Sequence, residues 1–232
     1  MTTRLPPLRR RRRRLNLTDI AARVFKGVAS VEATIEPFAQ QWDDWNDAAL
    51  RADGPLWVAL GDSVTQGIGA SGPTQNPALV LKHLRETSGQ PWRLINLSMS
   101  GARFEDVVRH QLPTMIQAGL EPQAVSAVIG SNDVIWRRDT NAIVSDARQL
   151  IKALPPGTIL SRLGKTRRDH RRVGVNQVFD AAEEAGRVHL YRAWDWPTGV
   201  GMWAEDNFHP NNAAHGLLSK NLIDAFDAHG VM

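Results

Sequence analysis

The 232-residue sequence contains no cysteine. Its absence excludes disulfides, thiolate metal sites and a cysteine nucleophile, although it does not fix the cellular compartment. The sequence also lacks any apolar run close to the roughly 20 residues that a membrane-spanning helix needs. Hydrophobic residues make up 42% of the chain, which suits one domain with a sizeable core.

The net positive charge of the chain comes from one short block. The formal net charge is +4, and it becomes −2 when the six arginines of Arg9–Arg14 are left out. The body of the protein is therefore not basic, and we expect no nucleic-acid partner. Because like charges repel, we predict a disordered basic tail over residues 1–16. The alternative for Arg9–Arg14 is contact with an anionic membrane surface, with nucleic acid or with an acidic partner.

The N-terminus lacks the uncharged apolar core of an export signal. Asp19, Arg23 and Lys26 interrupt the moderately apolar stretch Leu15–Val31. We therefore expect a cytoplasmic protein. Export through an atypical twin-arginine-like N-terminus stays open as an alternative, because arginines precede that stretch.

Residues 17–53 are predicted to form a helical segment that packs on the domain. Apolar residues recur at helical spacing through Leu17–Val31, and a second helix is expected over Pro37–Leu50, ended by Gly54 and Pro55. The alternative for the first helix is a position on a membrane surface, since it follows a polyarginine block. The main domain is expected to span 54–232.

From Leu56 onward, strand-like and helix-like segments alternate. Strands are predicted at 56–60, 93–97, 124–129, 158–163 and 188–191, and helices at 78–85, 104–116, 143–153, 173–184 and 213–228, with Pro113 kinking or ending the second of these helices. This alternation predicts a parallel sheet with helices on both faces. The carboxyl ends of the strands then share one edge, where ligands bind in such sheets.

The first predicted strand ends in Gly61-Asp62-Ser63. A buried strand followed by a glycine-rich loop places the Ser63 hydroxyl at the edge of the sheet, as a candidate nucleophile. The alternative interpretation is that Asp62 or Ser63 only caps the next helix.

Three further blocks follow in order: 94–101 ends in a glycine, 128–133 contains Gly-x-Asn-Asp, and 206–210 reads Asp-x-x-His-Pro. Together with Gly61-Asp62-Ser63 they resemble the four blocks of the SGNH, or GDSL-type, esterase and lipase superfamily. The resemblance covers roughly Trp57 to Phe226. It implies a flavodoxin-like three-layer α/β/α sandwich with a central parallel sheet.

A serine needs a base to take its proton, and His209 is the best-placed histidine. Asp206 lies three residues earlier, close enough to turn back to the imidazole and fix its tautomer. The resemblance implies that Ser63 is the nucleophile, Asp206 the orienting acid and His209 the base. It also implies an oxyanion hole formed by the N–H groups of Ser63 and Gly101 and the side chain of Asn132.

Other kinds of site find no support in the sequence. The Gly-x-Ser-x-Gly nucleophile elbow is excluded, because Thr65 stands where its second glycine should be. No cluster has metal-ligand spacing, so neither a metal nor a cofactor is expected. Surface or core positions are expected for the other histidines, which are His83, His110, His170, His189, His215 and His229.

A basic segment, 162–172, precedes the predicted helix at Val173. It is either a solvated loop or a positive overhang that favours anionic substrates, and its basic residues are Arg162, Lys165, Arg167, Arg168, Arg171 and Arg172. We expect a serine hydrolase that cleaves a small-molecule carboxylic ester through an acyl-enzyme. The acyl chain and the alcohol are left open. The alternative is a catalytically inactive binding or scaffold protein with the same fold.

Overall fold

The structure, a computed structural model, describes residues 26–72, 76–136, 139–164, 169–194 and 201–231. The predicted tail and the first part of the predicted N-terminal helix lie outside these residues. Among the described helices, none combines the length and the apolar character needed to cross a membrane.

Five parallel strands form one sheet in the order β2-β1-β3-β4-β5. The strands are β1 (Leu56–Gly61), β2 (Arg93–Asn96), β3 (Ala124–Val128), β4 (Thr158–Ser161) and β5 (Val188–Tyr191). The described helices are α1 (Lys26–Glu32), α2 (Ile35–Arg51), α3 (Ser63–Gln66), α4 (Asn76–Ser88), α5 (Phe104–Asp106), α6 (Leu112–Gln117), α7 (Ser131–Trp136), α8 (Thr140–Ala153), α9 (His170–Glu184) and α10 (Asn212–Ala228), with a π-helical turn (Val107–Gln111) between α5 and α6. This strand order is that of flavodoxin-like folds, and the predicted fold class is confirmed.

Every residue of β1 is buried, because helices cover both faces of the sheet. Successive side chains of a strand point to opposite faces. Val58 and Leu60 accordingly join the core beneath α5, α8 and α9. Trp57 joins the core beneath α4 and α10, where its ring meets Phe226 edge-on at a centroid distance of 5.4 Å. These two cores give the three layers of the sandwich.

The chain reverses its direction of winding between β1 and β3, the two central neighbours in the sheet. Ligands bind at the carboxyl ends of strands at this switch point in open α/β sheets. Ser63 directly follows β1, and Asn132 follows β3. The fold therefore brings two of the predicted site residues to this place.

The helix predicted over 104–116 does not end at Pro113, but continues to Gln117. A proline has no N–H for a bond to the carbonyl four residues earlier, and its ring clashes with that carbonyl. The π-helical turn just before Pro113 widens the coil there. This wider turn lets the helix continue past Pro113.

Other boundaries differ by a few residues from those predicted, and two of these differences have a clear local cause. Strand β4 ends at Ser161 rather than Leu163, because the backbone N–H and C=O of Leu163 bond to the side chain of Asn176 instead. Helix α9 begins at His170 rather than Val173, since the Asp169 carboxylate caps it. His170 therefore lies at the start of this helix.

Candidate active site

Ser63 is positioned by the turn that joins β1 to α3. The Asp62 side chain caps α3 by accepting the Val64 N–H at 3.0 Å. Gly67 ends this short helix with a φ of 93°, a left-handed conformation that favours glycine. Ser63 is the first helical residue, so its N–H has no acceptor within the helix. The side chain is buried, yet it faces the loop that carries His209.

Asp206 and His209 lie in a tight loop between residues 201 and 211. Its two ends pair through the bond from the Ala204 N–H to the His209 C=O, at 2.8 Å. Inside the loop, Asp206 Oδ1 accepts the backbone N–H groups of Phe208 and His209 at 3.0 and 2.9 Å. Asn207 has a φ of 54°, a conformation that asparagine tolerates better than most residues. The loop therefore fixes the carboxylate against its own backbone.

The three side chains form one hydrogen-bonded chain. Asp206 Oδ2 lies 2.6 Å from His209 Nδ1, and His209 Nε2 lies 3.1 Å from Ser63 Oγ. A proton on Nδ1 facing the carboxylate leaves Nε2 free to accept the serine proton. The structure thus brings together the residues predicted as nucleophile, acid and base, in a geometry suited to proton transfer.

Partial burial acts to raise the pKa of Asp206, but hydrogen bonds outweigh it. The His209 ring and the backbone N–H groups of His209 and Phe208 donate to this carboxylate, and together they lower its pKa below the ordinary value. Asp206 is therefore ionised near neutral pH. A fixed negative charge at Nδ1 favours the imidazolium that forms when His209 takes a proton.

Asn132 lies in the first turn of α7 and is 7% exposed. Its Nδ2 donates to the Ala102 C=O at 3.0 Å and, at 3.4 Å, to Asp62 Oδ2. The first bond holds the amide in place. The second is longer than a normal N–H···O bond, so this N–H can turn to a better acceptor.

Gly101 stands at the sheet edge with a φ of 78°, and a Cβ there would meet no atom within 4 Å. Glycine is required at this position by the backbone conformation. The space in front of it is open. The next residue along the chain is Ala102, whose carbonyl accepts the hydrogen bond from Asn132.

Burial raises the pKa of Asp62 to about 6, although the Val64 N–H and the charge of His209 act to lower it. The carboxyl lies directly before the serine and contacts Asn132. The charge beside Ser63 therefore changes around pH 6.

The π-helical turn supplies a residue that sequence reasoning missed. Gln111 is fully buried, and its side-chain amide bonds to both backbone groups of Gly61: Oε1 accepts the N–H at 2.9 Å and Nε2 donates to the C=O at 2.8 Å. Gln111 therefore continues the pairing of β1 beyond the end of the neighbouring strand. No motif marks this glutamine, and only its place on the π-helical turn distinguishes it.

Gly69 was also missed. It follows the serine helix, and a Cβ there would overlap the Pro210 carbonyl oxygen and lie 2.9 Å from His209 Cβ. Its φ of 93° also favours glycine. Glycine at this position lets the loop after Ser63 lie directly against the loop of His209. The glycines at 67 and 69 in the sequence were the available signal.

Phe208 and Trp203 present apolar surface beside the site. Phe208 is 41% exposed and meets the His209 ring edge-on, with centroids 4.9 Å apart. Trp203 is 39% exposed, and its backbone pairs with Pro210. One side of the His209 ring is therefore covered by the ring of Phe208.

The described part of the basic segment is paired within the domain. Arg162 bonds to Asp180 at 2.8 Å. Arg171 and Arg172 both contact Asp169, at 3.0 and 3.5 Å. Lys165, Arg167 and Arg168 lie outside the described residues. Three arginines thus share two carboxylates, which leaves one net positive charge on this group.

The remaining histidines lie apart from this site or serve its framework. His215 is fully buried in α10: its Nδ1 accepts the Asn76 N–H at 3.4 Å, and its Nε2 faces the Ile68 C=O at 3.2 Å. It ties the loop after the serine helix to α4 and α10. His189 and His229 stack on each other at a centroid distance of 3.9 Å.

Comparison with protein families finds one match, to the GDSL-like lipase/acylhydrolase family over residues 59–217. A comparison with curated proteins finds no matching sequence. Several solved structures share the fold. TesA is 19% identical with a TM-score of 0.63, over 75% of this chain and 99% of its own.

Two further structures resemble the chain to a similar degree. The psychrotrophic esterase EstA from Pseudoalteromonas sp. is 20% identical with a TM-score of 0.62, over 75% of this chain and 97% of its own. A catalytic mutant of an acetylxylan esterase from Geobacillus stearothermophilus is 21% identical with a TM-score of 0.55, over 75% of this chain and 94% of its own.

Proposed function

Because this chain belongs to the GDSL-like lipase/acylhydrolase family, we propose that it is a serine hydrolase that cleaves carboxylic esters through an acyl-enzyme. The observation that carries the proposal is the hydrogen-bonded chain from Ser63 through His209 to Asp206. It stands at the switch point of the sheet, where ligands bind in this class of fold.

In the first step, Ser63 Oγ attacks the ester carbonyl while His209 Nε2 takes the hydroxyl proton. The imidazolium then gives this proton to the leaving alcohol, and the acyl group stays on Ser63 as an ester. A water molecule next gives a proton to Nε2 and attacks the acyl carbon, and the proton returns to Oγ as the acid leaves. Asp206 holds the ring and stabilises its positive charge throughout.

Negative charge develops on the carbonyl oxygen in each attack, and three donors are candidates to stabilise it. The Ser63 N–H lacks a helical acceptor, and the Gly101 N–H belongs to an open glycine turn. Asn132 supplies a side-chain N–H by exchanging its long bond to Asp62 for the oxyanion. Donors already fixed in place need little reorganisation as the charge forms.

The surroundings of the base favour an uncharged ester with an apolar group. Phe208 offers aromatic surface next to His209, Trp203 is an exposed residue of the same loop, and burial of apolar area contributes about 25 cal/mol per Å². The described arginines of the basic segment are engaged with Asp169 and Asp180, so their guanidinium groups are held by the domain itself.

A panel of p-nitrophenyl esters of increasing acyl length tests this proposal. The wild-type protein should hydrolyse at least the short esters, Ser63→Ala should hydrolyse none above background, and Ser145→Ala, a change at an exposed serine of α8, should match the wild type. A folded wild-type protein that cleaves no ester would instead favour the binding or scaffold alternative. Equal activity of wild type and Ser63→Ala would exclude Ser63 as the nucleophile.

A further inference from the structure

Helices α1 and α2 precede residue 59, the first residue that matches the family, yet they contact the segments that carry the site. We propose that residues 26–51, here called the N-terminal brace, hold the nucleophile and the base at hydrogen-bond distance from each other. This inference rests on the proposed function, because it concerns the positions of Ser63 and His209. It assigns the brace a positioning role and no contact with the substrate.

The first contact joins α1 to the loop of the acid and base. A Cβ on Gly27 would overlap the carbonyl oxygen of Glu205 and lie 2.9 Å from its carbonyl carbon. Glu205 directly precedes Asp206. The helix backbone therefore lies against the loop backbone, one residue from the proposed acid, and any larger side chain at position 27 has to move one of them.

The second contact joins α2 to the serine helix. The Trp42 Nε1–H donates to the Gln66 C=O at 2.9 Å, and the Gln66 side chain donates back to the Ile35 C=O at 3.3 Å. Gln66 is the last residue of α3, the helix that begins with Ser63. Trp42 is only 4% exposed, so its N–H bond is shielded from water.

The third contact joins α2 to the strand that leads to Gly101. Asn46 bonds to both backbone groups of Asn96, at 2.8 and 2.9 Å. The Asn96 side chain in turn accepts the Ser98 N–H at 3.0 Å and donates to the Thr65 C=O at 3.1 Å. This buried network links α2, the serine helix and the start of the loop to Gly101.

The three contacts are made to the loop of Asp206 and His209, to the helix of Ser63 and to the segment that leads to Gly101. Ser63 and His209 are 146 positions apart, and their 3.1 Å contact depends on how two loops are held. Misplacement of a catalytic group by 1 Å costs on the order of a hundredfold in rate. The brace should therefore affect kcat more than KM.

Two helical glycines provide a matched pair of variants in the full-length protein. Gly27→Ala places a methyl group against Glu205, whereas Gly216→Ala, in α10, meets no atom within 4 Å. We expect Gly27→Ala to lower kcat and the rate at which a fluorophosphonate labels Ser63 by about ten- to a hundredfold, with KM changed much less. Gly216→Ala should keep both rates.

A second variant decides the matter if Gly27→Ala fails to fold. Trp42→Phe keeps a buried ring but removes the donor to Gln66, and it should also slow labelling in folded protein, by several-fold. Wild-type labelling rates in folded Gly27→Ala or Trp42→Phe, with or without a lower melting temperature, would contradict the positioning role of the N-terminal brace. A wild-type protein that is not labelled at all would instead overturn the proposed function.

Discussion

The side chain of Gln111 bonds to both backbone groups of Gly61, although 50 positions separate the two residues. Gly61 is the last residue of β1 and lies two positions before Ser63. The side-chain amide of this glutamine, on a π-helical turn, thus bonds to Gly61 as the backbone of an adjacent strand would. It fixes the end of the strand that presents the serine.

Gln111→Met removes both hydrogen bonds to Gly61 while keeping the approximate volume of the side chain. It leaves the N–H of Gly61 without this acceptor, whereas the C=O keeps its bond from the Met99 N–H at 3.1 Å. An unsatisfied buried group costs about 1–3 kcal/mol, so we expect the free energy of unfolding to fall by about 1–3 kcal/mol, measured by urea denaturation. Gln149→Met, on the exposed face of α8, is the control and should have little effect.

Replacement of the serine or the base should abolish activity in a non-additive way. Ser63→Ala and His209→Ala should each remove nearly all ester hydrolysis, and the double variant should be little worse, because members of a triad act as a unit. Asp206→Asn should be damaging but less complete. Steady-state kcat on one short ester measures all four, and near wild-type kcat in His209→Ala would refute its role as base.

Asn132→Ala should lower kcat by on the order of a hundredfold, with a smaller change in KM. The amide would act on the charge that forms in the transition state and less on the ground-state carbonyl. Kinetics over a range of substrate concentrations separate the two parameters. A change confined to KM would mean that Asn132 binds the ground-state ester.

His215 should make the protein less stable in acid. Burial lowers its pKa from 6.5 to about 4 in the folded protein. Between these values the unfolded chain takes up a proton that the native protein does not, so the free energy of unfolding falls as the pH falls from about 6.5 toward about 4. Melting temperatures across this range should show the decline, and His215→Gln should flatten it. An unchanged slope in that variant would contradict the assignment.

Asp62 should act in the opposite sense. Its folded pKa of about 6 lies above the ordinary value of 3.8, so the native protein holds a proton that the unfolded chain loses. This group therefore lowers stability as the pH rises from about 3.8 to about 6. Asp62→Asn removes the opposing contribution, and its melting temperature should decline more steeply in acid than that of the wild type. A shallower decline would contradict this sign.

Much of the fold was predictable because its strands are short apolar runs bounded by glycine, proline or charged residues. The stretch ending in Gly61-Asp62-Ser63 is one example, since strand and loop follow from local composition. The residues that meet at the site, Ser63, Asp206 and His209, came from four short motifs in a recognisable order. Their motifs are local, whereas their contact depends on the parallel sheet.

The supporting residues could not be predicted, because their roles exist only in three dimensions. Gln111 acts through a π-helical turn that has no sequence signature. Gly27 lies against Glu205, a residue 178 positions away, and nothing near either residue indicates the contact. The pairing of Arg162 with Asp180 likewise depends on how α9 packs beside β4.

The most direct test of Ser63 as an activated nucleophile is covalent labelling of the folded wild-type protein with a fluorophosphonate, followed by peptide mapping by mass spectrometry. We predict one adduct, on Ser63. It should be absent in Ser63→Ala and form very slowly in His209→Ala, because the base is missing. Labelling of another residue, or no labelling of well-folded protein, would contradict the claim that Ser63 is an activated nucleophile.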